Sequence, residues 1–332
     1  MIKGIGLNVS NVITIHPSMV TFESDDNILK DALLKSIPLE HSCKTGGCGL
    51  CKAEVISGTA LNEDMKEVST GSYILTCQSK ALSNLSLKVN YFPELANIES
   101  KIIPCKVSSL EQVTEDIVII KLRLPPNKTL NYMPGQYIDL IFKGISRSYS
   151  IANFSPDKNE LELHIRRVPN GKMSGLIFEP IHLEQLMRIE GPKGTFFVRD
   201  DNKDLIFLAT GTGIAPIKSM IHGLIEKKDT RKKYIYWGGR YDNEIYCKDF
   251  YKFDADFDNI TFVPVLSRES SDIRYVQHAV DRDFDSLSNV SVYACGSLSM
   301  INDARELLVD KNMSLDSFYY DAFIPSINKN AY

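Results

Sequence analysis

Four cysteines, Cys43, Cys48, Cys51 and Cys77, have a spacing that can bind a metal cluster. Four residues separate the first two thiols and two residues separate the next pair, with three glycines inside the loop. Two irons bridged by two sulfides need four converging thiolates, and this spacing is typical of such a 2Fe–2S cluster. The glycines permit a close backbone approach. Buried structural cysteines and a zinc site are the alternatives, but zinc sites usually use two separated cysteine pairs.

Length and composition predict two or three domains in a reducing compartment. The chain has 332 residues, of which 43% are hydrophobic, and its net charge is −4. This charge predicts no nucleic-acid partner, and the absence of an apolar run of about 18 residues predicts no membrane span. The chain has seven cysteines, and its N-terminus shows no apolar leader sequence. This combination favours a cytoplasmic protein with free thiols over a secreted protein held together by disulfides.

The N-terminal part of the chain, residues 1–95, predicts a small α+β domain that positions the cysteine loop. Two short strands are expected within residues 8–23, and a helix over residues 28–36 follows candidate N-caps. After the loop, apolar alternation predicts strands at 52–56 and 85–89. This order of elements places three thiols between a helix and a strand and brings the fourth from elsewhere in the domain.

The polar stretch from Phe92 to Lys101 contains Pro93 and predicts a linker, which we place at residues 96–103. Residues 104–200 contain short strands and turn signals, which indicates a small antiparallel barrel. Residues 201–332 alternate strands with helices, which indicates a doubly wound parallel sheet. The predicted elements of these two domains are strands at 117–122, 137–142, 161–166, 205–209, 234–237, 261–265 and 290–294, and helices at 217–226, 273–280 and 300–309.

Two features of the sequence resemble known families. The order strand, strand, helix, cluster loop and strand resembles the β-grasp fold of plant-type ferredoxins. Arg147-Ser-Tyr-Ser150 resembles the R-x-Y-S motif of the ferredoxin–NADP reductase superfamily, which holds a flavin. The resemblance implies that Arg147 pairs with the FAD pyrophosphate, that Tyr149 stacks on the isoalloxazine ring, and that Ser150 bonds near the flavin N5 atom. For this motif alone, an ordinary edge strand is the alternative.

The resemblance to this superfamily covers a second flavin segment. Gly171-Lys-Met-Ser174 resembles its second phosphate loop, in which backbone amides and a serine hydroxyl receive the pyrophosphate. The preceding strand would lie along the adenine side of the FAD. The residues that the resemblance assigns to FAD in these two segments are His164, Ile165, Arg166, Gly171, Lys172, Met173 and Ser174.

A glycine-rich turn follows the apolar strand at 205–209 and precedes a helix, a context that presents amides to an anion. Its spacing lacks the dinucleotide fingerprint of dehydrogenases, but it resembles the nicotinamide-nucleotide loop of the superfamily. The residues that this resemblance assigns to the nucleotide are Gly211, Thr212, Gly213 and Pro216.

Three residues near the C-terminus resemble those that the superfamily places at the site of hydride transfer. Cys295 and Gly296 follow an apolar strand, and the resemblance implies that this pair approaches the nicotinamide. Phe323 stands where the superfamily has an aromatic residue against the flavin. An inert buried thiol and a surface tail are the alternatives.

The sequence favours no single donor nucleotide. Ser267 and Arg268 follow the strand at 261–265 and resemble residues of NADPH-using relatives. Asp242 and Glu244 favour the ribose hydroxyls of NADH. We therefore expect use of both nucleotides, with a preference below about a hundredfold.

The order of the three domains implies that electrons pass from NADH or NADPH through FAD and the cluster to a partner enzyme. Stretches that join the domains resemble the family of CDP-6-deoxy-3,4-glucoseen reductases; they include 89–95, 146–153 and 191–199. By this resemblance the partner is a pyridoxamine-dependent iron–sulfur dehydrase of 3,6-dideoxyhexose synthesis. The alternatives are the reductase component of a multicomponent oxygenase and a non-catalytic iron–sulfur redox sensor, which intact flavin and nicotinamide motifs disfavour.

Overall fold

The computed structural model describes residues 10–154, 159–179, 181–269 and 272–323. The chain forms two units, which divide between Glu99 and Ser100. The first unit has one buried apolar cluster, and the second contains one cluster in its barrel and another around its parallel sheet. The cysteine loop therefore belongs to the first unit, and the predicted flavin and nucleotide segments belong to the second.

The first unit combines a five-stranded sheet, a small three-stranded sheet and a helix. Its elements are β1 (Asn11–His16), β2 (Val20–Ser24), α1 (Ile28–Leu34), β3 (Lys52–Ser57), β4 (Thr59–Leu61), β5 (Glu67–Ser69), β6 (Tyr73–Leu75), β7 (Lys80–Ala81) and β8 (Leu85–Lys88). The larger sheet has the order β2-β1-β8-β3-β6, in which β1 and β8 are parallel. The smaller sheet has the order β5-β4-β7.

Apolar alternation positions this sheet over its core. Ile13 and Ile15 on β1 are fully buried and pair in register with Leu85 and Leu87 on β8, which are also buried. Alternate residues of a strand share one face, so these four side chains cover one side of the sheet. Asn27 begins α1 by accepting a hydrogen bond from the backbone of the first turn. The cysteine loop connects this capped helix, α1, to β3, which is an inner strand of the sheet.

The second unit begins with a six-stranded antiparallel barrel. Its elements are β9 (Lys101–Thr114), β10 (Ile117–Arg123), β11 (Tyr137–Phe142), β12 (Ile145–Ser150), β13 (Glu160–Arg166), α2 (Lys172–Phe178) and β14 (Leu186–Lys193). The strand order is β12-β11-β14-β9-β10-β13. An antiparallel bridge between Ile151 and Leu163 joins the two ends of this sheet and closes the barrel.

A five-stranded parallel sheet follows in the same unit. Its elements are β15 (Asp204–Thr210), α3 (Ile214–Glu226), β16 (Lys233–Gly239), α4 (Asp249–Asp256), β17 (Ile260–Leu266), α5 (Val276–Asp283), β18 (Val290–Gly296), α6 (Leu298–Val309) and β19 (Phe318–Ala322). The order is β17-β16-β15-β18-β19, so the direction of strand addition reverses between β15 and β18. Ligands bind at the carboxyl ends of strands at such a reversal.

The structure has the α+β, antiparallel barrel and parallel α/β architecture that the sequence predicts. Strand β9 begins at Lys101, inside the stretch 96–103 that we expected to be a linker. The predicted domain limits at residues 95, 104 and 201 stay predictions, because the second unit contains both the barrel and the parallel sheet.

Candidate functional site

The four predicted cluster cysteines converge in the first unit. Cys43, Cys48 and Cys51 lie in the loop between α1 and β3, and Cys77 follows β6. Cys48, Cys51 and Cys77 are buried, whereas Cys43 is half-buried, and all four are free thiols. Three of the four predicted ligands are therefore shielded from solvent, and Cys43 is the one that solvent partly reaches.

The four thiols form two pairs. Cys51 Sγ lies 3.0 Å from Cys77 Sγ, and Cys43 Sγ accepts a hydrogen bond from the Cys48 backbone N–H at 3.4 Å. A hydrogen bond from the Cys48 side chain lowers the pKa of Cys43, and one from Cys51 lowers the pKa of Cys77. In the described part of the chain, no three His, Cys, Asp or Glu side chains are grouped to hold a single metal ion. Two pairs of thiols instead fit two irons.

Two amide side chains fix Cys77, one to the cysteine loop and one to the start of α1. Gln78 Nε2 donates to the carbonyl oxygens of Lys44 at 3.2 Å and of Cys77 at 2.8 Å, and lies 3.9 Å from Cys77 Sγ. Asn27 Nδ2 donates to the Cys77 carbonyl at 2.7 Å. A Cβ at Gly46, whose φ is +85°, would lie 3.2 Å from Gln78 Cγ. Sequence reasoning does not predict Asn27 or Gln78 as site residues, because their contacts depend on tertiary packing.

The predicted flavin motif lies at the end of β12. Strand alternation places Arg147 and Tyr149 on one face and buried Ser150 on the other. Arg147 donates to the Ser146 carbonyl at 2.7 Å and has no ion pair among the described residues. Burial raises the pKa of the Tyr149 phenol, which therefore stays protonated. An unpaired guanidinium beside a partly buried ring fits the pyrophosphate and ring system of FAD, although each residue's role stays a prediction.

The strand assigned to the adenine side of FAD divides its residues between two faces. Ile165 is fully buried in the barrel core, whereas His164 and Arg166 lie on the opposite face. His164 is also buried, with its Nε2 2.9 Å from Glu162 and its Nδ1 3.0 Å from the Tyr246 hydroxyl. Both ring nitrogens of His164 thus have protein partners, and Arg166 is the polar residue of this segment that reaches a cavity.

The second predicted phosphate segment precedes and begins α2. Ser174 Oγ accepts a hydrogen bond from the Val168 backbone N–H at 3.1 Å and donates to the Gly171 carbonyl at 3.1 Å. Lys172 is exposed, and Met173 is buried in the barrel core. The Ser174 hydroxyl therefore fixes the turn itself, and the assignment of these residues to FAD stays a prediction.

Close backbone contacts build the predicted nucleotide loop. The loop joins β15 to α3 and consists of Gly211, Thr212, Gly213 and, in the first turn of the helix, Pro216. A Cβ at Gly213 would collide with the Cys295 carbonyl, and one at Gly296 would collide with the Thr210 hydroxyl. Glycine is required at both positions, since any side chain would separate β15 from β18. The turn and the start of α3 can then present amides to a phosphate.

A cavity of about 320 Å³ opens at the carboxyl ends of the parallel strands. The residues that line it include Arg166, Thr210, Gly211, Arg240, Glu244, Ser267, Arg274 and Gln277. Arg166, from the barrel, lies so close to Gly211 that a Cβ there would be 3.1 Å from its Nη1 atom. The buried Oε1 atom of Gln277 has no hydrogen-bond partner among the described residues. The cavity therefore offers a ligand this acceptor and three arginines, of which Arg166 is paired with Asp116 and Arg240 with Glu244.

The residues predicted to select the donor nucleotide occupy different positions. Ser267 lines the cavity, whereas exposed Arg268 is not one of its lining residues. Glu244 also lines it, but its carboxylate is paired with Arg240 at 2.6 Å. Arg274 lines the cavity and has no ion pair within the described ranges. Arg274 is therefore a lining cation without an ion-pair partner in the described ranges, and the negative charge of Glu244 is already compensated.

Cys295, Gly296 and Phe323 lie together at the end of β18. Cys295 is fully buried, and burial raises its pKa well above the ordinary value, so the thiol stays protonated. The Phe323 backbone N–H donates to the Gly296 carbonyl at 2.8 Å, and the residue is 39% exposed. Gly296 and Phe323 are thus neighbours in the fold, while the contacts with nicotinamide and flavin that the resemblance implies stay predictions.

Three family models match successive parts of the chain. They are a 2Fe-2S iron-sulfur cluster binding domain at residues 13–82, an oxidoreductase FAD-binding domain at 104–198 and an oxidoreductase NAD-binding domain at 207–306. The predicted cofactors, a 2Fe–2S cluster, FAD and a nicotinamide nucleotide, are thereby confirmed.

Full-length relatives give the same result. The chain is 47% identical over 327 residues to the CDP-6-deoxy-L-threo-D-glycero-4-hexulose-3-dehydrase reductase of Yersinia pseudotuberculosis, covering 95% of this chain and 98% of that protein. It is 45% identical over 326 residues to the protein RfbI of Salmonella typhimurium, covering 96% and 98%. The crystal structure of the Amycolatopsis cytochrome P450 reductase GcoB is similar with a TM-score of 0.77 and 25% identity, covering 95% of this chain and 99% of that chain.

Fold and site together define an oxidoreductase that carries an iron–sulfur domain, a flavin barrel and a nucleotide-binding sheet in one chain. The chain belongs to the family of CDP-6-deoxy-hexulose-3-dehydrase reductases, within the ferredoxin–NADP reductase superfamily. The predicted family is thus confirmed. None of the helices that the structure describes is long and apolar enough to cross a membrane. The expected cytoplasmic location and absence of a nucleic-acid partner stay predictions.

Proposed function

We propose that this protein passes single electrons from NADH or NADPH to a dehydrase that acts on a CDP-6-deoxy-hexulose during 3,6-dideoxyhexose synthesis. The supporting observation is that 47% identity with a reductase named for this dehydrase extends over all three domains. Identity with the cytochrome P450 reductase is 25% over a similar length. The electron path is common to both classes, so the identity of the partner rests on this difference.

The chain's residues hold and separate three redox groups. Bound FAD would supply hydride acceptance and single-electron release, which would let a two-electron donor supply a one-electron cluster. Arg147 would hold the FAD pyrophosphate, Tyr149 would orient the ring, and the Ser150 hydroxyl would bond near N5. We reassign Arg166 from FAD to the nicotinamide nucleotide, because its side chain lies beside Gly211 and lines the cavity, so that the turn and Arg166 together hold the nucleotide phosphates there. In the first unit, the two cysteine pairs hold the irons.

Reconstitution tests the partner assignment. The holoprotein is mixed with a CDP-6-deoxy-hexulose 3-dehydrase and its CDP-sugar, and in parallel with the oxygenase component of a ring-hydroxylating system. We expect sugar product in proportion to NADH or NADPH consumed, and no oxygenated product above the rate without reductase. Oxygenated product without sugar product would instead identify the protein as the reductase component of an oxygenase. Failure to reduce ferricyanide from either nucleotide would instead favour a redox sensor.

The donor preference is tested by two arginine substitutions. We expect Arg274→Ala to lower kcat/KM for NADPH by roughly tenfold and to leave NADH nearly unchanged, because a charge-assisted hydrogen bond to the 2′-phosphate is lost. Arg268→Ala is the matched control, since its residue does not line the cavity, and it should alter neither nucleotide by more than about twofold. A selective NADPH defect in Arg268→Ala alone would assign the contact with the 2′-phosphate to Arg268, as the sequence predicts.

A further inference from the structure

A buried chain of polar side chains connects the barrel to the parallel sheet inside the second unit. Lys218, on α3, donates from Nζ to Glu162 Oε1 at 2.8 Å and to Asp249 Oδ2 at 2.9 Å. The same Glu162 oxygen lies 2.9 Å from His164 Nε2. Lys218, Glu162 and His164 are 6%, 7% and 4% exposed. None of these contacts is explained by the roles that the sequence assigns to the cofactor sites.

This chain continues to the nucleotide loop. His164 Nδ1 lies 3.0 Å from the Tyr246 hydroxyl, and the Tyr246 ring packs edge-on against Trp237 with centroids 5.0 Å apart. Trp237 Nε1 donates to the Gly211 carbonyl at 3.0 Å. Because the Glu162 carboxylate can only accept, His164 donates to it from Nε2 and accepts from the Tyr246 hydroxyl at Nδ1. The donor and acceptor directions are therefore consistent from Lys218 to Tyr246, and a ring contact with Trp237 continues the chain to the loop.

The strand that carries this chain also carries Arg166. Glu162, His164 and Arg166 alternate along β13 and share the face opposite the barrel core. The Arg166 guanidinium packs over Gly211, at the place where a Cβ would meet it. Arg166 Nε also pairs with Asp116 Oδ2 at 3.1 Å, and the position of β13 against α3 sets where this pair lies relative to the glycine turn.

We propose that Lys218, Glu162, His164 and Tyr246 are positioning residues for the nicotinamide nucleotide, which hold Arg166 and the turn at Gly211 at a fixed spacing. This inference rests on the proposed placement of the nucleotide in the cavity beside that turn. A buried ion pair commonly adds little stability over an apolar pair of similar volume. Its directional bonds do, however, specify one alignment of two packed elements, which apolar contacts specify less strictly.

The test compares variants by steady-state kinetics with ferricyanide, using NADH and NADPH as probes. Tyr246→Phe removes one buried hydroxyl of the chain, and Tyr236→Phe is the matched control, because its hydroxyl bonds Asp283 elsewhere in the same sheet. The double variant Lys218→Met with Glu162→Gln removes both charges together. Lys218→Arg keeps the charge, and Arg166→Ala tests the cavity itself. FAD content and thermal midpoint are measured for every variant.

We expect KM for the nucleotide to rise about tenfold in the double variant and about threefold to fivefold in Tyr246→Phe, with kcat and FAD content within twofold. Tyr236→Phe should lower the thermal midpoint as much as Tyr246→Phe does and leave KM unchanged, and Lys218→Arg should restore most of the affinity. Should the double variant fail to fold, Tyr246→Phe decides alone. A normal KM in Tyr246→Phe together with a raised KM in Arg166→Ala would overturn the positioning role. A normal KM in Arg166→Ala would overturn the placement of the nucleotide, and this inference with it.

Discussion

The cluster site and the nucleotide cavity are built in opposite ways. Three of the four cluster ligands lie within residues 43–51, and all four act through their own side chains. The cavity is lined by residues at the ends of four parallel strands, Thr210, Gly239, Ser267 and Ser297, and by residues as distant in sequence as Arg166 and Asp303. A site made of local ligands depends on its residue types, whereas a site made of packed elements depends on their alignment. The two sites should therefore respond differently to small substitutions.

Loss of one cluster ligand is expected to have the largest effect. Cys48→Ser leaves one iron with a single thiolate, so we expect iron content and visible cluster absorption to fall to near zero, while FAD and NAD(P)H-dependent ferricyanide reduction are retained. The rate with cytochrome c should fall at least about a hundredfold, because the cluster delivers the single electrons to protein acceptors. Cys105→Ala is the matched control, since Cys105 is buried in the barrel and remote from the four ligands in sequence. Full iron content in Cys48→Ser would refute the ligand assignment.

The flavin motif provides an intermediate case, in which a charged side chain acts on a non-covalent ligand. We expect Arg147→Ala to weaken FAD binding roughly tenfold to a hundredfold, through loss of charge-assisted hydrogen bonds worth about 1.5–3 kcal/mol. Desalting followed by flavin fluorescence measures the fraction released. Arg188→Ala removes an exposed arginine from β14 and should retain its flavin. Equal retention by both variants would remove Arg147 from the pyrophosphate site.

A single methyl group tests the alignment of the cavity. Gly213 has a φ of −60°, which alanine tolerates, but its Cβ would collide with the Cys295 carbonyl. We expect Gly213→Ala to raise the nucleotide KM by roughly fivefold or more, since overpacking of this kind commonly costs about 1–3 kcal/mol. Gly175→Ala, in α2, adds a methyl group where nothing lies within 4 Å and should not change KM. A normal KM in Gly213→Ala would contradict the dependence of the cavity on the alignment of β15 with β18.

The contrast between the cluster site and the nucleotide cavity also explains which parts of the structure the sequence predicts. The spacing of Cys43, Cys48 and Cys51 predicts the cluster directly, because three ligands are close in the chain. Alternation in 161–166 predicts β13, and the structure gives Glu160–Arg166. The same alternation separates Ile165 from His164 and Arg166, so only the family resemblance assigns all three to the adenine side of FAD.

Long-range packing decides which donor-site residues reach the cavity. Ser267 and Arg268 are neighbours in sequence, yet Ser267 lines the cavity and Arg268 does not. Arg240 and Glu244 are four residues apart but lie at a short 3-10 turn instead of on an α-helix, so the helical spacing rule does not predict their pair. The contact of Lys218 with Glu162 joins residues 56 positions apart, so no local pattern indicates it. Residues that act across elements are therefore the ones that sequence reasoning misses.

The smallest expected effect concerns a residue of the cluster site that acts from outside the cysteine loop. Gln78 Nε2 lies 3.9 Å from Cys77 Sγ and donates to the Lys44 carbonyl within the loop. The reduced cluster carries one more negative charge than the oxidised cluster, so a donor near its ligand sulfur stabilises the reduced state. Gln78→Leu should therefore lower the reduction potential, by less than about 50 mV, because a full tenfold change in a one-electron equilibrium is about 59 mV and this contact is long.

A redox titration that follows the EPR signal of the reduced cluster measures this shift. Gln112→Leu, on β9 of the barrel, is the control and should keep the potential of the unsubstituted protein. Unchanged iron content with a lowered potential would mean that the local thiolates suffice to bind the cluster, and that Gln78 only adjusts its energy. Loss of iron from Gln78→Leu, comparable to that in Cys48→Ser, would instead show that the cluster site also depends on alignment between elements. In that event the contrast with the nucleotide cavity would be one of degree, since both sites would need contacts from beyond their own loops.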